Sequence, residues 1–155
     1  MFDVAPAAAP ADLEQARILF REYAEQVDAP CCFATFSEEV ASLPGEYAPP
    51  AGRLLLARRN GQAAGCVAMR RLDAGRCEMK RLYVRDAFRG DRLGRTLAGL
   101  VIAAARQQRY AYLMLDTLPK MGEAIALYRS LGFRETGPYS AEPTPGAIFF
   151  ELRLS

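Results

Sequence analysis

The sequence predicts an α+β fold in which helices cover both faces of a central, mostly antiparallel sheet. Three strands come first, and the Asn60-Gly61 pair between the first two is a strong hairpin signal. A strand–helix–strand–helix–strand unit follows, which is typical of a crossover connection between parallel strands. We therefore expect about six to seven strands, flanked by about four helices, in a single domain over residues 1–155.

The amino-terminal third predicts two helices that precede the sheet. The Ala/Pro-rich stretch after Val4 is expected to be a short linker. Residues 11–27 form an amphipathic helix with Asp12 as its N-cap, and residues 37–43 form a second short helix capped by Ser37. The apolar face of the first helix consists of Leu13, Ala16, Phe20, Tyr23 and Val27.

The remaining elements follow from apolar periodicity and from turn residues. Strands are predicted at residues 53–59, 62–72, 76–84, 110–115, 133–137 and 147–155. A helix that begins near Leu93 presents Leu97, Leu100, Val101 and Ala104 on the same face as Leu93. A further helix at 120–131 ends at Gly132 and points Met121, Ala124, Ile125, Tyr128 and Leu131 inward.

Composition excludes several classes of function. The chain has no histidine, which removes histidine metal sites and Ser-His or Cys-His nucleophile pairs. Its net charge of +2 is too small to indicate nucleic acid, and no apolar run approaches the length of a membrane span. The four cysteines lack the spacing of a zinc site or a disulfide framework. Without a recognisable secretion signal, we expect a cytoplasmic protein that holds no metal.

The stretch "RDAFRGDRLGRTLAGL", residues 85–100, places glycines and arginines directly before a helix. Six cations and two anions lie between Lys80 and Arg95. A helix N-terminus presents unpaired N–H groups, and a glycine loop lets the backbone approach a phosphate closely. The sequence therefore predicts an anion-binding loop, although it matches neither of the common glycine-rich nucleotide motifs.

Two stretches resemble the GNAT superfamily of N-acetyltransferases. "EMKRLYVRDAFRGDRLGRTL", residues 78–97, resembles its acyl-CoA-binding segment, with Arg89 and Gly94 at pattern positions. "EAIALYRSLGFRETG", residues 123–137, resembles its carboxyl-terminal helix and strand. Two residues depart from the pattern: Arg92 replaces a glycine, and Met121 lies near a position where relatives often carry asparagine.

The resemblance implies a GNAT-like fold and transfer of an acetyl group from acetyl-CoA to a primary amine. The amine attacks directly, with no covalent enzyme intermediate, and belongs to a small molecule or a peptide. Neither nucleic acid nor a membrane is expected as a partner, and a homodimer is a possible assembly. The implied cofactor-binding residues are Leu82, Tyr83, Val84, Arg89, Gly90, Asp91, Arg92, Leu93, Gly94 and Arg95.

The resemblance also implies two catalytic residues. Tyr128 matches the tyrosine that faces the thioester sulfur, and Glu78 lies where many relatives carry a general base. The alternatives are a core role for Tyr128 and a salt-bridged structural role for Glu78. Proton removal then passes to water or to Asp116, for which an N-cap role is the other interpretation.

Further residues are candidates for the surroundings of the amine acceptor. Cys31 and Cys32 lie between the first two helices, where packing is the expected role. Tyr47, Tyr139 and Glu142 fall in loops that are able to close over the acceptor.

Two other functions stay open from the sequence. The replacements at Arg92 and Met121 are compatible with a non-catalytic acyl-CoA-binding sensor of the same fold. The arginine cluster is compatible with a nucleic-acid-binding module, although few aromatic residues are interleaved with it.

Overall fold

A computed structural model describes residues 1–27 and 35–155 and confirms the predicted fold class. The α-helices are α1 (Pro10–Val27), α2 (Phe36–Ala41), α3 (Leu93–Gln107) and α4 (Gly122–Ser130). The strands are β1 (Asp3–Pro6), β2 (Arg53–Arg59), β3 (Gln62–Arg71), β4 (Arg76–Val84), β5 (Tyr112–Thr117), β6 (Arg134–Thr136) and β7 (Ile148–Arg153). Single 3₁₀ turns lie at Gly45–Tyr47 and Asp86–Phe88.

The seven strands form one sheet in the order β1-β2-β3-β4-β5-β7-β6. Only the β4–β5 pair is parallel, and the other described pairs are antiparallel. Side chains alternate along β2, so that Leu55 and Ala57 join the apolar cluster with α3 and α4, while Leu54 and Leu56 join the cluster with α1 and α2. Each face of the sheet is therefore covered by helices.

The amino-terminal linker prediction is wrong for residues 5 and 6, because β1 occupies Asp3–Pro6. This strand pairs with β2 at the edge of the sheet, from Asp3 opposite Arg58 to Pro6 opposite Leu55. Proline lacks an N–H donor but is tolerated on an edge strand. Four residues that alternate weakly in polarity give no strand signal in the sequence, so only the pairing reveals the strand.

Three details of the helices differ from the predictions. Helix α1 begins at Pro10, so Asp12 is not its N-cap, and the Asp12 carboxylate accepts a 2.6 Å bond from Arg58. Helix α2 begins at Phe36 with Thr35 rather than Ser37 as its N-cap. Leu100, predicted to face the core, is 41% exposed, because it lies at the margin of the apolar stripe of α3.

Strand β4 contains a bulge against β3 and separates from β5 over its second half. Cys66 of β3 faces Tyr83, but Ala68 faces Lys80, so one β3 residue opposes two residues of β4. Arg81 lies in the bulge with a left-handed φ of 60°. Pairing of β4 with β5 is confined to the register from Arg76–Tyr112 to Glu78–Met114. Beyond Glu78 the two strands no longer pair, and small cavities lie in the space between them.

Candidate active site

A cleft with a volume of about 580 Å³ lies at one side of the sheet. The end of α1, the end of β4 and the first turns of α3 and α4 surround it. Eight of the ten sequence-predicted cofactor residues line this cleft: Leu82, Tyr83, Val84, Arg89, Gly90, Arg92, Leu93 and Gly94. The loop and the strand that the sequence singled out therefore meet at one place.

The end of β4 presents free backbone amides to the cleft. The N–H of Arg85 donates to the carbonyl of Ala64 on β3 at 2.9 Å. Because N–H directions alternate along a strand, the N–H of Tyr83 also points to β3, and those of Leu82 and Val84 point away from it. On that side β5 has already diverged, so both amides are available to a ligand in the cleft.

The first turn of α3 presents a second set of amides. The first helical bond is donated by Thr96 to the carbonyl of Arg92, at 3.0 Å. Within residues 1–27 and 35–155, no acceptor pairs with the N–H groups of residues 92–95. A helix N-terminus of this kind carries a partial positive charge and attracts anions.

The loop before α3 takes two left-handed residues. Gly90 has a φ of 97°, a conformation that glycine adopts without cost. Arg92 has a φ of 62° at the N-cap of α3, where a side chain is strained. The sequence pattern showed that Arg92 replaces a glycine, and the backbone conformation gives the physical reason why glycine fits there.

Cations from two segments line the cleft: Arg89 and Arg92 from the loop before α3, and Lys120 from the loop before α4. Arg89 is exposed, donates to the carbonyl of Val84 at 3.1 Å and pairs with Asp86 at 3.2 Å. Lys120 lines the same cleft, and its ammonium donates to the carbonyl of Val27. The electrostatic environment therefore favours an anionic ligand.

Asp91 and Arg95 do not line the cleft with their side chains. Asp91 pairs with Arg59 at 2.8 Å, and Arg95 donates to the hydroxyl of Ser130 at 2.6 Å. Their backbone positions in the loop and at the start of α3 are the features that bear on a ligand.

Two smaller cavities, of about 50 and 30 Å³, lie in the opening between β4 and β5. We name them together the β4–β5 pocket. Four residues line both cavities: Tyr23, Lys80, Arg81 and Asp116. Tyr23, Val27 and Met121 also line the large cleft, so the two sites adjoin.

Tyr128 reaches the β4–β5 pocket from α4. It is buried, and its ring packs against Phe133 and Phe150 at centroid distances of 5.7 and 6.3 Å. Burial raises the pKa of the Tyr128 hydroxyl, which keeps it protonated. No group in the described ranges exchanges a hydrogen bond with this hydroxyl, which leaves it available to a ligand.

Glu78 is buried and fully engaged by other side chains. One carboxylate oxygen accepts a 2.8 Å bond from Arg70, and the other accepts a bond from the hydroxyl of Tyr139. Glu78 lines neither the large cleft nor the β4–β5 pocket. Its contacts fasten the loop that carries Tyr139 to the sheet, and this contact across 61 residues gave no signal in the sequence.

Asp116 lines both cavities of the β4–β5 pocket. Burial is the main cause that raises the pKa of its carboxyl, and the charge of Lys80 opposes this rise. The N-cap interpretation of Asp116 is wrong, because α4 begins at Gly122 with Met121 as its N-cap. Asp116 thus joins Tyr128 on the wall of one cavity.

Charged pairs that the sequence did not predict support the pocket. Arg81 makes two bonds to Glu39, of 2.9 and 2.8 Å, and Tyr47 donates to the same carboxylate at 3.0 Å. Tyr47 is therefore buried beneath α2 rather than poised as a mobile loop residue. Cys31 and Cys32 lie outside the described residues.

Residues 1–27 and 35–155 contain no cluster of three cysteine, aspartate or glutamate side chains arranged to hold a metal ion. No helix in these ranges combines the length and apolar character needed to cross a membrane.

Comparison with known proteins places these observations in a family. The model of the Acetyltransferase (GNAT) family matches residues 13–133. An uncharacterised N-acetyltransferase of Schizosaccharomyces pombe is 38% identical over 148 residues, which cover 94% of this chain and 91% of the relative.

Two solved structures share the fold. An acetyltransferase of Streptococcus agalactiae has a TM-score of 0.84 at 18% identity, covering 99% of this chain and 98% of that one. A GNAT family acetyltransferase of Elizabethkingia anophelis with acetyl-CoA bound has a TM-score of 0.64 at 22% identity, covering 99% and 98%. The matching family model and the yeast relative together show that this chain belongs to the GNAT family of acetyltransferases.

Proposed function

We propose that the protein transfers an acetyl group from acetyl-CoA to a primary amine by direct attack, without a covalent enzyme intermediate. One observation carries this proposal: the free amides of β4 and the amino-terminal amides of α3 converge on a cleft that adjoins a pocket containing Tyr128 and Asp116. A donor site and an acceptor site thus meet beside candidate proton-transfer groups.

The residues of the cleft suit acetyl-CoA. The amides of Leu82 and Val84 are free to donate to the acetyl carbonyl and to a carbonyl of the pantetheine arm. The amides of residues 92–95, together with Arg89 and Arg92, are suited to a pyrophosphate. For Asp91 and Arg95, only the backbone is proposed to contribute to this site.

Acetyl-CoA supplies a thioester carbonyl for attack by the amine, and the protein must manage two protons. The Tyr128 hydroxyl, kept protonated by burial, donates a proton on the sulfur side. A carboxylate must take a proton from the attacking amine, because only a neutral amine is nucleophilic. The amides of β4 polarise the carbonyl oxygen.

Asp116 is the better supported base, and Glu78 is the alternative. Asp116 lines the β4–β5 pocket, and its partly buried carboxyl binds a proton more tightly than an exposed aspartate does. Glu78 is engaged on both oxygens by Arg70 and Tyr139 and lies outside the pocket walls. Its negative charge raises the pKa of Asp116, so it acts on the base through space.

The proposed function is tested by release of free thiol from acetyl-CoA in the presence of a panel of primary amines. Amine-dependent release supports a transferase. CoA binding without release from any amine would instead favour the sensor hypothesis, for which Arg92 and Met121 were the motivation. Salt-sensitive binding of nucleic acid with no affinity for CoA would favour the nucleic-acid module.

The base assignment is tested by the pH dependence of turnover in Asp116→Asn and Glu78→Gln. Since the base must be ionised, the wild-type rate should fall as pH drops through the raised pKa of Asp116. This fall is the acidic limb of the pH–rate profile. We expect Asp116→Asn to lower the rate by about 10²-fold or more and to remove this limb. Glu78→Gln should keep an acidic limb shifted to lower pH, because a negative neighbour has been removed.

The free energy of unfolding of Asp116→Asn shows whether this variant still folds. The raised pKa of Asp116 means that the folded state binds this proton more tightly than the unfolded state. Ionisation therefore costs stability as pH rises, and Asp116→Asn should raise the free energy of unfolding at neutral pH. This gain should vanish well below the ordinary aspartate pKa of 3.8. If Glu78→Gln loses the acidic limb of the pH–rate profile and Asp116→Asn keeps it, the general base is Glu78.

The remaining expectations from the sequence stay predictions. They are a single domain over residues 1–155, a cytoplasmic location and assembly as a possible homodimer.

A further inference from the structure

The β4–β5 pocket contains a lysine, Lys80, whose ammonium has no carboxylate oxygen closer than 4.0 Å among residues 1–27 and 35–155. In the described part of the chain, the carboxylate oxygen nearest to this ammonium belongs to Glu78, at 4.0 Å, and Arg70 donates to that same oxygen at 2.8 Å. The neighbouring cation, Arg81, is held by two bonds to Glu39. Of the cations on the pocket wall, Lys80 is therefore the one placed to meet an anion from outside the protein.

The same pocket contains a carboxylate that is not paired with this lysine. Asp116 and Lys80 line both cavities, yet no nitrogen–oxygen distance between them falls within 4.0 Å. No side chain in the described ranges donates a hydrogen bond to Asp116. The Lys80 ammonium and the Asp116 carboxylate thus line the same cavities without forming a salt bridge to each other.

Burying charges without partners is costly, so a site of this kind selects a ligand that supplies both partners. We propose that the acceptor amine carries a carboxylate in the same small molecule, with its amino group at Asp116 and its carboxylate at Lys80. The acceptor class is thus an amino acid rather than a plain amine or an internal peptide position. This inference rests on the proposed transferase function and adds the substrate class.

The use of lysine along the chain agrees with this assignment. Of the 20 basic residues, only Lys80 and Lys120 are lysines. Both line cavities, Lys120 in the large cleft and Lys80 in the β4–β5 pocket. An ammonium is a compact charge on a flexible stem, whereas the planar guanidinium needs more space. Lysine therefore suits a pocket whose two cavities measure about 50 and 30 Å³.

Binding and turnover are both measured with matched acceptors. The probes are phenylalanine, methionine and glutamate, each compared with its α-carboxamide, and phenethylamine as the decarboxylated counterpart of phenylalanine. Binding to the protein saturated with CoA is measured by calorimetry, and turnover is measured by thiol release from acetyl-CoA. We expect at least one free amino acid to exceed its carboxamide by about 10-fold or more in both measurements.

Lys80→Met should remove this discrimination. We expect a rise of about 10-fold or more in KM for the amino acid, with less than a twofold change for the carboxamide. Lys80→Arg keeps the charge and should recover part of the preference. Arg134→Met removes an exposed cation on β6 that lines neither the cleft nor the β4–β5 pocket, and it should leave the preference intact.

The outcomes separate this inference from the proposed function. Equal use of amino acid and carboxamide, or an equal loss of both in Lys80→Met, would overturn the amino acid assignment while leaving a transferase. Lys80-dependent binding of an amino acid without thiol release from any amine would support the site and overturn the transferase. Absence of both binding and release would overturn both.

Discussion

At the scale of single residues, Arg92 combines two properties that substitutions can separate. Its guanidinium borders the cleft, while its φ of 62° strains the backbone at the start of α3. Arg92→Ala removes the charge and keeps the strain. Arg92→Gly removes both, since glycine adopts this conformation freely.

We expect Arg92→Ala to weaken CoA binding by about 10-fold, with a smaller effect at high salt, because a charged contact to phosphate is lost. Arg92→Gly should bind CoA better than Arg92→Ala does. Its free energy of unfolding should exceed that of Arg92→Ala by ~1 kcal/mol, because the backbone strain is removed. Calorimetry and urea denaturation measure these two quantities. Wild-type affinity in Arg92→Ala would show that the guanidinium is merely solvated.

Tyr128 offers a second test at the residue scale, because its hydroxyl has no partner among the described groups. Tyr128→Phe should therefore retain the melting temperature and CoA affinity, while turnover falls by about 10-fold or more. Tyr110→Phe is the matched control, because the Tyr110 hydroxyl donates to the carbonyl of Ala51 at 3.0 Å.

The Tyr110→Phe control should lose ~1 kcal/mol of stability with turnover per folded molecule unchanged. Melting temperature and turnover are measured on the same samples of both variants. The catalytic assignment of Tyr128 fails if Tyr128→Phe behaves as this control is expected to behave.

At the scale of elements, the shape of β4 determines where ligands can bind. Pairing with β5 ends at Glu78, the bulge against β3 follows at Arg81, and Gly65 on β3 lets the two strands lie close beyond the bulge. A Cβ added at Gly65 would stand 2.6 Å from the carbonyl oxygen of Tyr83 and 3.4 Å from the Leu93 side chain. Both neighbours line the cleft.

Gly65→Ala should therefore lower the free energy of unfolding by ~1–3 kcal/mol and also weaken CoA binding, since β4 must shift. Gly99→Ala is the control, because a Cβ there meets no atom within 4 Å in the interior of α3. This control should gain ~1 kcal/mol from helix propensity. Urea denaturation of both variants measures the contrast. If Gly65→Ala leaves the free energy of unfolding unchanged, β3 and β4 move apart at this point without loss of stability.

The sequence predicts the ends of β4 but not its interior. Apolar alternation and flanking turns indicate a strand over residues 76–84, as observed. The bulge leaves no trace in the pattern, because one extra residue in a strand flanked by arginines changes no local composition. The contact of Glu78 with Tyr139 is equally hidden, because it depends on how distant loops return to the sheet.

At the scale of the whole molecule, the cleft exists only when segments from both halves of the chain meet. Tyr23 and Gln26 come from α1, Val84 from β4, and Gly122 from α4. A local motif predicts the loop before α3, because the glycines and arginines are consecutive in sequence. The placement of α1 and α4 around that loop depends on packing across the sheet, which local patterns do not encode.

Because the cleft requires the folded arrangement, CoA should bind the native state and not the unfolded chain. At a CoA concentration 100-fold above its dissociation constant, the native state should gain about 2.7 kcal/mol. For a chain of this size, that gain raises the melting temperature by roughly 5–10 °C. Differential scanning fluorimetry with increasing CoA measures the shift.

The parts of CoA should divide between the two sets of amides. Adenosine 3′,5′-bisphosphate should give part of the shift through the first turn of α3, and Arg92→Ala should reduce it. Pantetheine, which lacks phosphate, should give a smaller shift through β4 that Arg92→Ala leaves unchanged. Since each fragment fills less of the cleft than CoA does, neither fragment should raise the melting temperature as much as CoA. A melting temperature that CoA leaves unmoved at millimolar concentration would remove the basis for placing the cofactor in this cleft.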